Sequence, residues 1–405
     1  MKPGRRAVVA DDYADLKPRV PSGGTQGNAV ALLAQAWAQF QSTNELRRLL
    51  PPRHTNQTSV AAATRRLLET EASTLRLFHE AMGQPQCELT EPPEGINAAS
   101  GNPSSEPEAG WSPLADLALV EAETEFFDDP EGFLKRAGEM VAFAHRLEDA
   151  GGDSLQYMRA ASVKMKALGA IRRAVGHGKA PAEVLVRFAE ELKPYPANLT
   201  GLSNGIRWDI ENVWRALKTT VGSIPLSTNS GVSVVTPRFL FDPRKTHGRL
   251  AAHSRARLAS LTLSWAESPL HQMAERKRRP AWRALISGNA VGNLLADFNE
   301  SGHDGLLRLK CRENHALAAT RVFLALRAYE LQNGALPDSL DALVPVYLDR
   351  VPLDDFDGQP LRYSKDRRQI WAVGSDRMDD GGTDRATARK HGEKERFDEV
   401  NVLTW

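Results

Sequence analysis

Residues 130–176 read PEGFLKRAGEMVAFAHRLEDAGGDSLQYMRAASVKMKALGAIRRAVG and contain two runs of apolar residues at helical spacing. Apolar residues that recur every three or four positions lie on one face of an α-helix. The first run places on that face Phe133, Ala137, Met140, Ala144 and Leu147. The second run places there Leu155, Met158, Ala161, Met165, Leu168 and Val175. Asp153 or Ser154 is suited to cap the second helix and Gly176 to end it, so the stretch predicts two helices joined by a short turn.

The same apolar spacing continues on both sides of this pair. Further candidate helices lie near residues 58–82, after 112, and near 181–193, 205–219, 246–275, 281–298 and 305–333. A succession of amphipathic helices joined by short turns is typical of antiparallel helical hairpins. No fixed period carries the signature of a tetratricopeptide repeat. The sequence therefore predicts a mainly α fold built from antiparallel helical hairpins.

The pattern changes after Pro337. Residues 338–344 predict a short capped helix that Pro345 ends. Two strand-like runs, 360–364 and 369–373, flank a basic turn, and such a pair predicts an antiparallel hairpin. Residues 399–405 alternate between polar and apolar and predict a third strand. We therefore expect a small C-terminal α+β module with a three-stranded antiparallel sheet.

Composition divides the chain into three parts. Residues 1–26 are polar and rich in Pro and Gly, so they predict a flexible arm. Residues 27–304 form the helical body, in which 83–111 predict an exposed linker because they contain few apolar residues. Residues 305–405 hold a long helix followed by the C-terminal module.

The loop after the second predicted strand is acidic. Within nine residues it holds four carboxylates, those of Asp376, Asp379, Asp380 and Asp384. Calcium takes six to eight oxygen ligands in a flexible geometry, and Gly374, Gly381 and Gly382 would let the backbone turn carbonyls toward an ion. An EF-hand is excluded because Met378 and Thr387 stand at the third and twelfth positions counted from Asp376. The residues alone leave two interpretations open, a calcium loop or a solvated acidic turn balanced by the basic stretch that follows.

Three motifs follow one another in the last quarter of the chain: ALRAYELQNGALPDSLDALV at 325–344, VPLDDFDGQPLRY at 351–363 and WAVGSDRMDDGG at 371–382. The first resembles the end of the long helix of the major pseudopilin of type II secretion, with its Asn-Gly-x-x-Pro turn. The second is similar to the family's Pro-x-Asp-Pro-(Trp/Phe)-Gly-x-Pro-Tyr-x-Tyr segment, and the third to its Tyr-Ser-Leu-Gly-Ala-Asp-Gly-x-x-Gly-Gly loop. The resemblance covers residues 312–405. The helical remainder more vaguely resembles large uncharacterised bacterial envelope proteins that end in this module.

The resemblance implies a calcium site in the acidic loop. In pseudopilins the ion is held by a backbone carbonyl and acidic side chains. Carried over, the ligands are the carbonyl of Val373, the carboxylates of Asp376 and of Asp380 or Asp379, and that of Asp384 or Asp398. This sequence departs from the family in two ways: Arg377 stands where the family prefers glycine, and the basic insert 385–396 is longer than usual.

The resemblance also implies a non-enzymatic envelope, assembly or scaffold protein. In pseudopilins the module contributes to subunit packing within the secretion pseudopilus, which implies a place on the periplasmic side of the cell envelope. The sequence as written shows neither the family's hydrophobic N-terminal segment nor its prepilin cleavage site. We therefore expect the module to serve a different contact, with a protein partner that the sequence does not identify.

Charge and hydropathy narrow the classes of partner. The 405 residues carry 52 basic and 51 acidic side chains, a net charge of +1. Proteins that wrap nucleic acid usually carry a basic excess, so we expect no nucleic-acid partner. No stretch approaches the roughly 20 apolar residues of a membrane-spanning helix, and the apolar run 7–10 is too short for a secretory signal. We expect no membrane span.

Two alternatives to the scaffold interpretation remain at this stage. A hydrolase could use Ser203, which lies in a Gly-x-Ser-x-Gly pattern at 201–205, or a metal at the Asp376–Asp384 loop. Calcium held by carboxylates is a poorer generator of hydroxide than zinc, which disfavours the second route. A cytoplasmic helical adaptor differs from the scaffold only in its location.

Overall fold

The computed structural model describes residues 10–20, 27–49, 58–89, 110–125, 129–177, 180–219, 241–268, 288–293, 296, 304–390, 397–403 and 405. Within them the chain is mainly α-helical, with a small three-stranded antiparallel sheet near the C-terminus, as the sequence predicts. Outside the described residues lie 1–9 and 21–26 of the predicted arm, 90–109 of the predicted linker and most of the predicted helix 281–298.

Five helices form the N-terminal part of the body. They are α1 Ala29–Gln39, α2 Thr43–Leu49, α3 Thr58–Thr70, α4 Ala72–Met82 and α5 Trp111–Glu125. The sequence predicts a single helix over 58–82, but Glu71, with φ −98 and ψ 16, separates α3 from α4. The Glu71 side chain is buried and accepts the backbone N–H groups of Gln41 and Ser42. This carboxylate thereby fixes α2 against the α3–α4 junction.

Six further helices with defined bounds follow in the described part of the chain. They are α6 Pro130–Leu147, α7 Ser154–His177, α8 Ala182–Glu191, α9 Leu199–Thr219, α10 Pro243–Ser260 and α11 Asp304–Asn333. Asp129 caps α6 by accepting the N–H of Gly132, and Asp153 caps α7 by accepting that of Leu155. Asn198 accepts the N–H of Gly201, so α9 begins at Leu199 rather than near 205. Capping side chains thus set where these helices begin.

The predicted apolar stripe is confirmed on α6 and wrong in part on α7. Every stripe residue of α6 is buried. On α7, Leu155 and Met158 are each 40% exposed, whereas Tyr157 and Lys164 are buried. Helix α7 packs against α5, α6, α9 and α11. A single stripe cannot describe a helix with neighbours on several sides.

Helix α11 joins the body to the C-terminal module. It packs against α7 and α8, and Arg172 of α7 donates to the carbonyl of Ala316 and to Thr320 Oγ1 on α11, at 2.9 and 2.6 Å. One continuous apolar core extends from Ala29 in α1 to Leu403 after the last strand. The long helix therefore belongs to the core of both parts.

A second, smaller core lies beneath the described part of the predicted arm. Residues 10–16 form a 3-10 helix whose Leu16 packs with Leu250 and Ala251 of α10. The carbonyl of Arg19 accepts the indole N–H of the buried Trp208 at 3.1 Å. Residues 10–20 are thus packed against the body.

The C-terminal module follows α11 in the predicted order. It contains a 3-10 helix at Leu340–Leu343, strands β1 Arg362–Ser364 and β2 Gln369–Ala372, the short helix α12 Arg385–Lys390 and strand β3 Glu399–Val402. The strands pair antiparallel in the order β1-β2-β3, with Ser364 opposite Gln369 and Trp371 opposite Val400. The predicted hairpin and third strand are confirmed.

Hydropathy agrees with the expectation about membranes. In the part of the chain that the structure describes, no helix combines the length and the apolar character needed to cross a bilayer.

Candidate functional site

The acidic loop, residues 373–384, lies between β2 and α12. Gly374 and Gly382 have φ values of 71 and 77, the left-handed region that favours glycine. A Cβ on Gly374 would lie 2.7 Å from the carbonyl of Phe397, and one on Gly382 would lie 2.0 Å from Gln369 Nε2. The loop is therefore held close to the strands at both ends.

Asp398 joins the acidic loop to the start of β3. Its Oδ2 accepts the backbone N–H groups of Gly382 and Thr383 at 2.8 and 3.2 Å, and its Oδ1 accepts that of Asp380 at 3.4 Å. The backbone N–H of Asp398 donates to the carbonyl of Thr383 at 2.8 Å. Burial raises the pKa of the Asp398 carboxyl, and the three amide donors work against that shift. The second half of the loop is thus organised around one buried carboxylate.

Asp379 turns toward the sheet. Its Oδ1 accepts the indole N–H of Trp371 at 2.9 Å and the N–H of Gly381 at 3.0 Å. Its Oδ2 lies 3.7 Å from Nε of Arg362. Of the two alternatives for the second ligand, Asp380 or Asp379, the latter is already engaged by the protein itself.

Arg362 is the cation of a neighbouring acidic cluster. Its Nη1 lies 2.8 Å from Oδ2 of the fully buried Asp354, and its Nη2 forms an ion pair with Asp357. The carboxylate of Asp354 also accepts the backbone N–H groups of Phe356 and Val373, each at 2.8 Å. Burial raises the pKa of Asp354 to about 6. The segment before β1 is thereby fixed to the first residue of the acidic loop.

Asp384 lies at the start of α12. Its Oδ1 accepts the N–H of Thr387 at 2.6 Å, and its carbonyl accepts that of Ala388. The hydrogen bonds from Thr387 lower the pKa of the Asp384 carboxyl. Asp384 therefore caps α12.

Asp376 and Asp380 lie in the first and second halves of the loop. Asp376 Oδ1 accepts the N–H of Met378 at 3.2 Å, and the carbonyl of Asp380 accepts the Thr383 hydroxyl at 2.8 Å. Among the described residues, no three His, Cys, Asp or Glu side chains converge on a metal-sized position. A calcium ion here would need backbone carbonyls beside Asp376, Asp380 and Asp398. Calcium accepts such mixed oxygen sets, so the donor chemistry fits. The calcium site stays a prediction.

Ser203 lies on an exposed face of α9 rather than on a strand-to-helix turn. Its hydroxyl donates to the carbonyl of Thr200 at 2.9 Å and accepts Nη1 of Arg207 at 3.0 Å. The two glycines of the pattern serve packing: a Cβ on Gly201 would lie 2.0 Å from the carbonyl of Glu148, and one on Gly205 would lie 3.2 Å from the backbone of Ser154. This arrangement lends the hydrolase interpretation no support.

A buried polar cluster was missed by the sequence patterns. Lys164 Nζ lies 2.7 Å from Oε1 of Glu148, 2.5 Å from Oε1 of Glu313 and 3.2 Å from Nδ1 of His145. Tyr157 Oη donates to Glu313 Oε2 at 3.0 Å. The available signal was Lys164 itself, a charged residue among the apolar positions of α7 and seven residues from Tyr157. Its partner on α11, Glu313, is too distant in sequence for any periodicity to reveal.

Comparison of the chain with protein-family models, with curated proteins and with solved structures finds no match. The resemblance to pseudopilins accordingly rests on the three motifs and on their residues.

Proposed function

We propose that this chain is a non-enzymatic assembly or scaffold protein whose pseudopilin-like C-terminal module is stabilised by calcium in the loop at 373–384. The order of elements supports the proposal: a long helix, a turn, a β-hairpin, an acidic loop and a closing strand follow one another. That order is the one expected if the three motifs have the same structural roles as in pseudopilins.

The observation that carries the calcium proposal is the convergence of the loop on Asp398. This buried carboxylate collects the amide groups of Asp380, Gly382 and Thr383, and so brings the second half of the loop to the start of β3. Asp376 lies in the first half of the loop, and its side chain would have to close on the ion together with those of Asp380 and Asp398. A divalent cation that drew these carboxylates together would offset their repulsion and join β2, the loop and β3 into one rigid unit.

Calcium would fix the shape of the sheet edge at β3, which the module presents to a partner. Within the described residues, β3 pairs with β2 and with no other strand, so β3 lies at one edge of the sheet. With the ion bound, this edge would keep one shape for a protein partner, because the loop could not separate from β3. The role of the helical body would be to support the module through α11, which packs against α7 and α8.

The test is thermal unfolding of the whole chain in calcium and in chelator. A ligand at 100 times its dissociation constant stabilises the folded state by about 2.7 kcal/mol. We expect the midpoint to rise in calcium for the unaltered chain and not for Asp376→Ala. The matched control is Asp366→Ala, an exposed aspartate in the hairpin turn, which should keep the full calcium shift.

The variant Asp379→Asn distinguishes a specific calcium site from nonspecific screening of the loop's negative charges. Because Asp379 is bonded to Trp371 and faces Arg362, Asp379→Asn should keep the calcium shift while it lowers stability in both buffers. Equal midpoints in calcium and chelator for the unaltered chain would refute the calcium proposal. If Asp376→Ala, Asp366→Ala and Asp379→Asn all lost the calcium shift equally, the shift would reflect nonspecific screening of negative charge rather than a site.

A further inference from the structure

The buried polar cluster joins four parts of the chain. Glu148 follows α6, Tyr157 and Lys164 lie on α7, Glu313 lies on α11, and the carbonyl of Pro196 before α9 accepts Lys164 Nζ at 2.9 Å. The side chains of Lys164, Glu148 and Glu313 are all 0% exposed. The cluster is therefore sealed from water and lies where α11 meets the body.

The charges of the cluster balance only with an added proton. Two carboxylates face one ammonium in a sealed site, and an uncompensated buried charge is strongly destabilising. One proton retained between Glu148 and Glu313 makes the cluster neutral. Burial, and then the charge of Glu148, raises the pKa of Glu313 to about 8. Burial also raises the pKa of Glu148.

We propose that Glu148, Lys164 and Glu313 form a proton-dependent latch that holds α11, and with it the C-terminal module, against α6 and α7, and that loosens in mildly alkaline solution. When the shared proton leaves to solvent, two buried carboxylates remain around one ammonium. Their repulsion favours states in which Glu313 reaches water, and Glu313 can reach water only if α11 moves away from α7. The latch does not depend on calcium.

The other titratable groups around the cluster do not change charge in the same pH range as Glu313. His145 lies at its rim beside Tyr195, at 5.7 Å between ring centroids, and burial together with Lys164 lowers the pKa of the imidazole. His145 is therefore neutral above pH 7. The pKa of Tyr157 is raised well above its ordinary value by burial and by Glu313. Outside the cluster, Asp149 is paired with Arg19 at 3.1 Å.

The sign of the pH dependence follows from the raised pKa of Glu313. Between the pKa of an unfolded glutamate and about 8, the folded chain holds a proton that the unfolded chain has lost. Folding stability from this group is therefore complete in acid and falls as the pH rises toward 8. Each pH unit within this window lowers the folding equilibrium constant by up to about tenfold.

Glu313→Gln tests the proton linkage because the amide cannot lose the proton. Urea unfolding should show the folding constant of the unaltered chain falling about tenfold or more between about pH 6.5 and about pH 8, and that of the variant falling less than about threefold. Glu131→Gln, the same change at an exposed ion pair with Arg187, should behave like the unaltered chain. An unchanged slope in Glu313→Gln would overturn the proposal.

Two measurements on the unaltered chain keep the test independent of whether the variant folds. In ¹³C NMR of the glutamate carboxyls, one resonance should titrate above about pH 7, and titration of every glutamate below about pH 6 would overturn the latch. Hydrogen exchange, corrected for its intrinsic pH dependence, should show α11 losing protection with rising pH while α1 keeps it. Equal changes in both helices would show that no selective opening of α11 occurs.

Discussion

Arg377 has a backbone conformation that favours glycine. Its φ of 62 lies in the left-handed region, which costs a residue with a Cβ about 1–2 kcal/mol. Its N–H donates to the carbonyl of Gly374 at 3.3 Å and closes a turn, while its side chain is exposed. The proposed resemblance to pseudopilins puts a glycine at this position, and the conformation found here is one that glycine adopts freely.

Arg377→Gly should therefore stabilise the chain. Relief of the left-handed strain exceeds the extra entropy of a glycine in the unfolded state, and we expect a gain of about 0.5–1 kcal/mol in the free energy of unfolding, measured with urea. The control is Arg350→Gly, an exposed arginine with negative φ, which should lose about 0.4–1 kcal/mol. Equal changes in the free energy of unfolding for the two variants would show that the backbone at Arg377 is not strained.

In the acidic loop, the sequence did not predict the hydrogen bonds that the aspartate side chains form. The six proposed ligands are those that the resemblance to pseudopilins implies, but it does not imply their hydrogen bonds. Asp384 precedes Thr387 at a capping spacing, so its role at α12 was open to prediction. The bond between Asp379 and Trp371 depends on how the loop folds back over β2, which no local pattern encodes.

Helices were predicted best where a capping residue or a glycine marks an end. The bounds of α6, α8 and α11 agree with the sequence within a few residues because Pro130, Pro181 and Gly334 mark their ends. Helix α10 is shorter than predicted. Beyond it, Trp265 and Ala266 donate backbone N–H groups to the carbonyls of residues 355 and 356 in the module, at 2.9 Å each. Tertiary hydrogen bonds there replace helical ones.

The contact between α9 and the end of α6 gives a test at the scale of elements. Gly201→Ala would place a Cβ 2.0 Å from the carbonyl of Glu148, so α9 must shift, and we expect a loss of about 1–3 kcal/mol in urea unfolding. The control is Gly248→Ala in α10, where a Cβ meets nothing within 4 Å and should stabilise the helix by about 0.5–1 kcal/mol. A Gly201→Ala chain as stable as the unaltered one would show that the helices do not pack this closely.

The apolar core of the whole molecule crosses the boundary drawn from composition between residues 304 and 305. Composition changes near this point, but Phe323 and Leu326 of α11 lie in the same core as Leu168 of α7 and Ile370 of β2. Ion pairs also bridge the parts: Lys193 contacts Asp349, and Arg321 contacts Glu190. A boundary predicted from sequence composition cannot reveal that one helix lies in a core shared by both parts. We therefore expect calcium to shift the unfolding of the whole chain rather than that of a separate module.

Isothermal titration of calcium into the chelator-treated whole chain tests the central proposal most directly, because it counts ions. We predict one calcium ion per chain, with the binding heat lost in Asp376→Ala and kept in Asp366→Ala. Heat that is absent from the unaltered chain, or that persists undiminished in Asp376→Ala, would contradict the account of the loop at 373–384 as a calcium site.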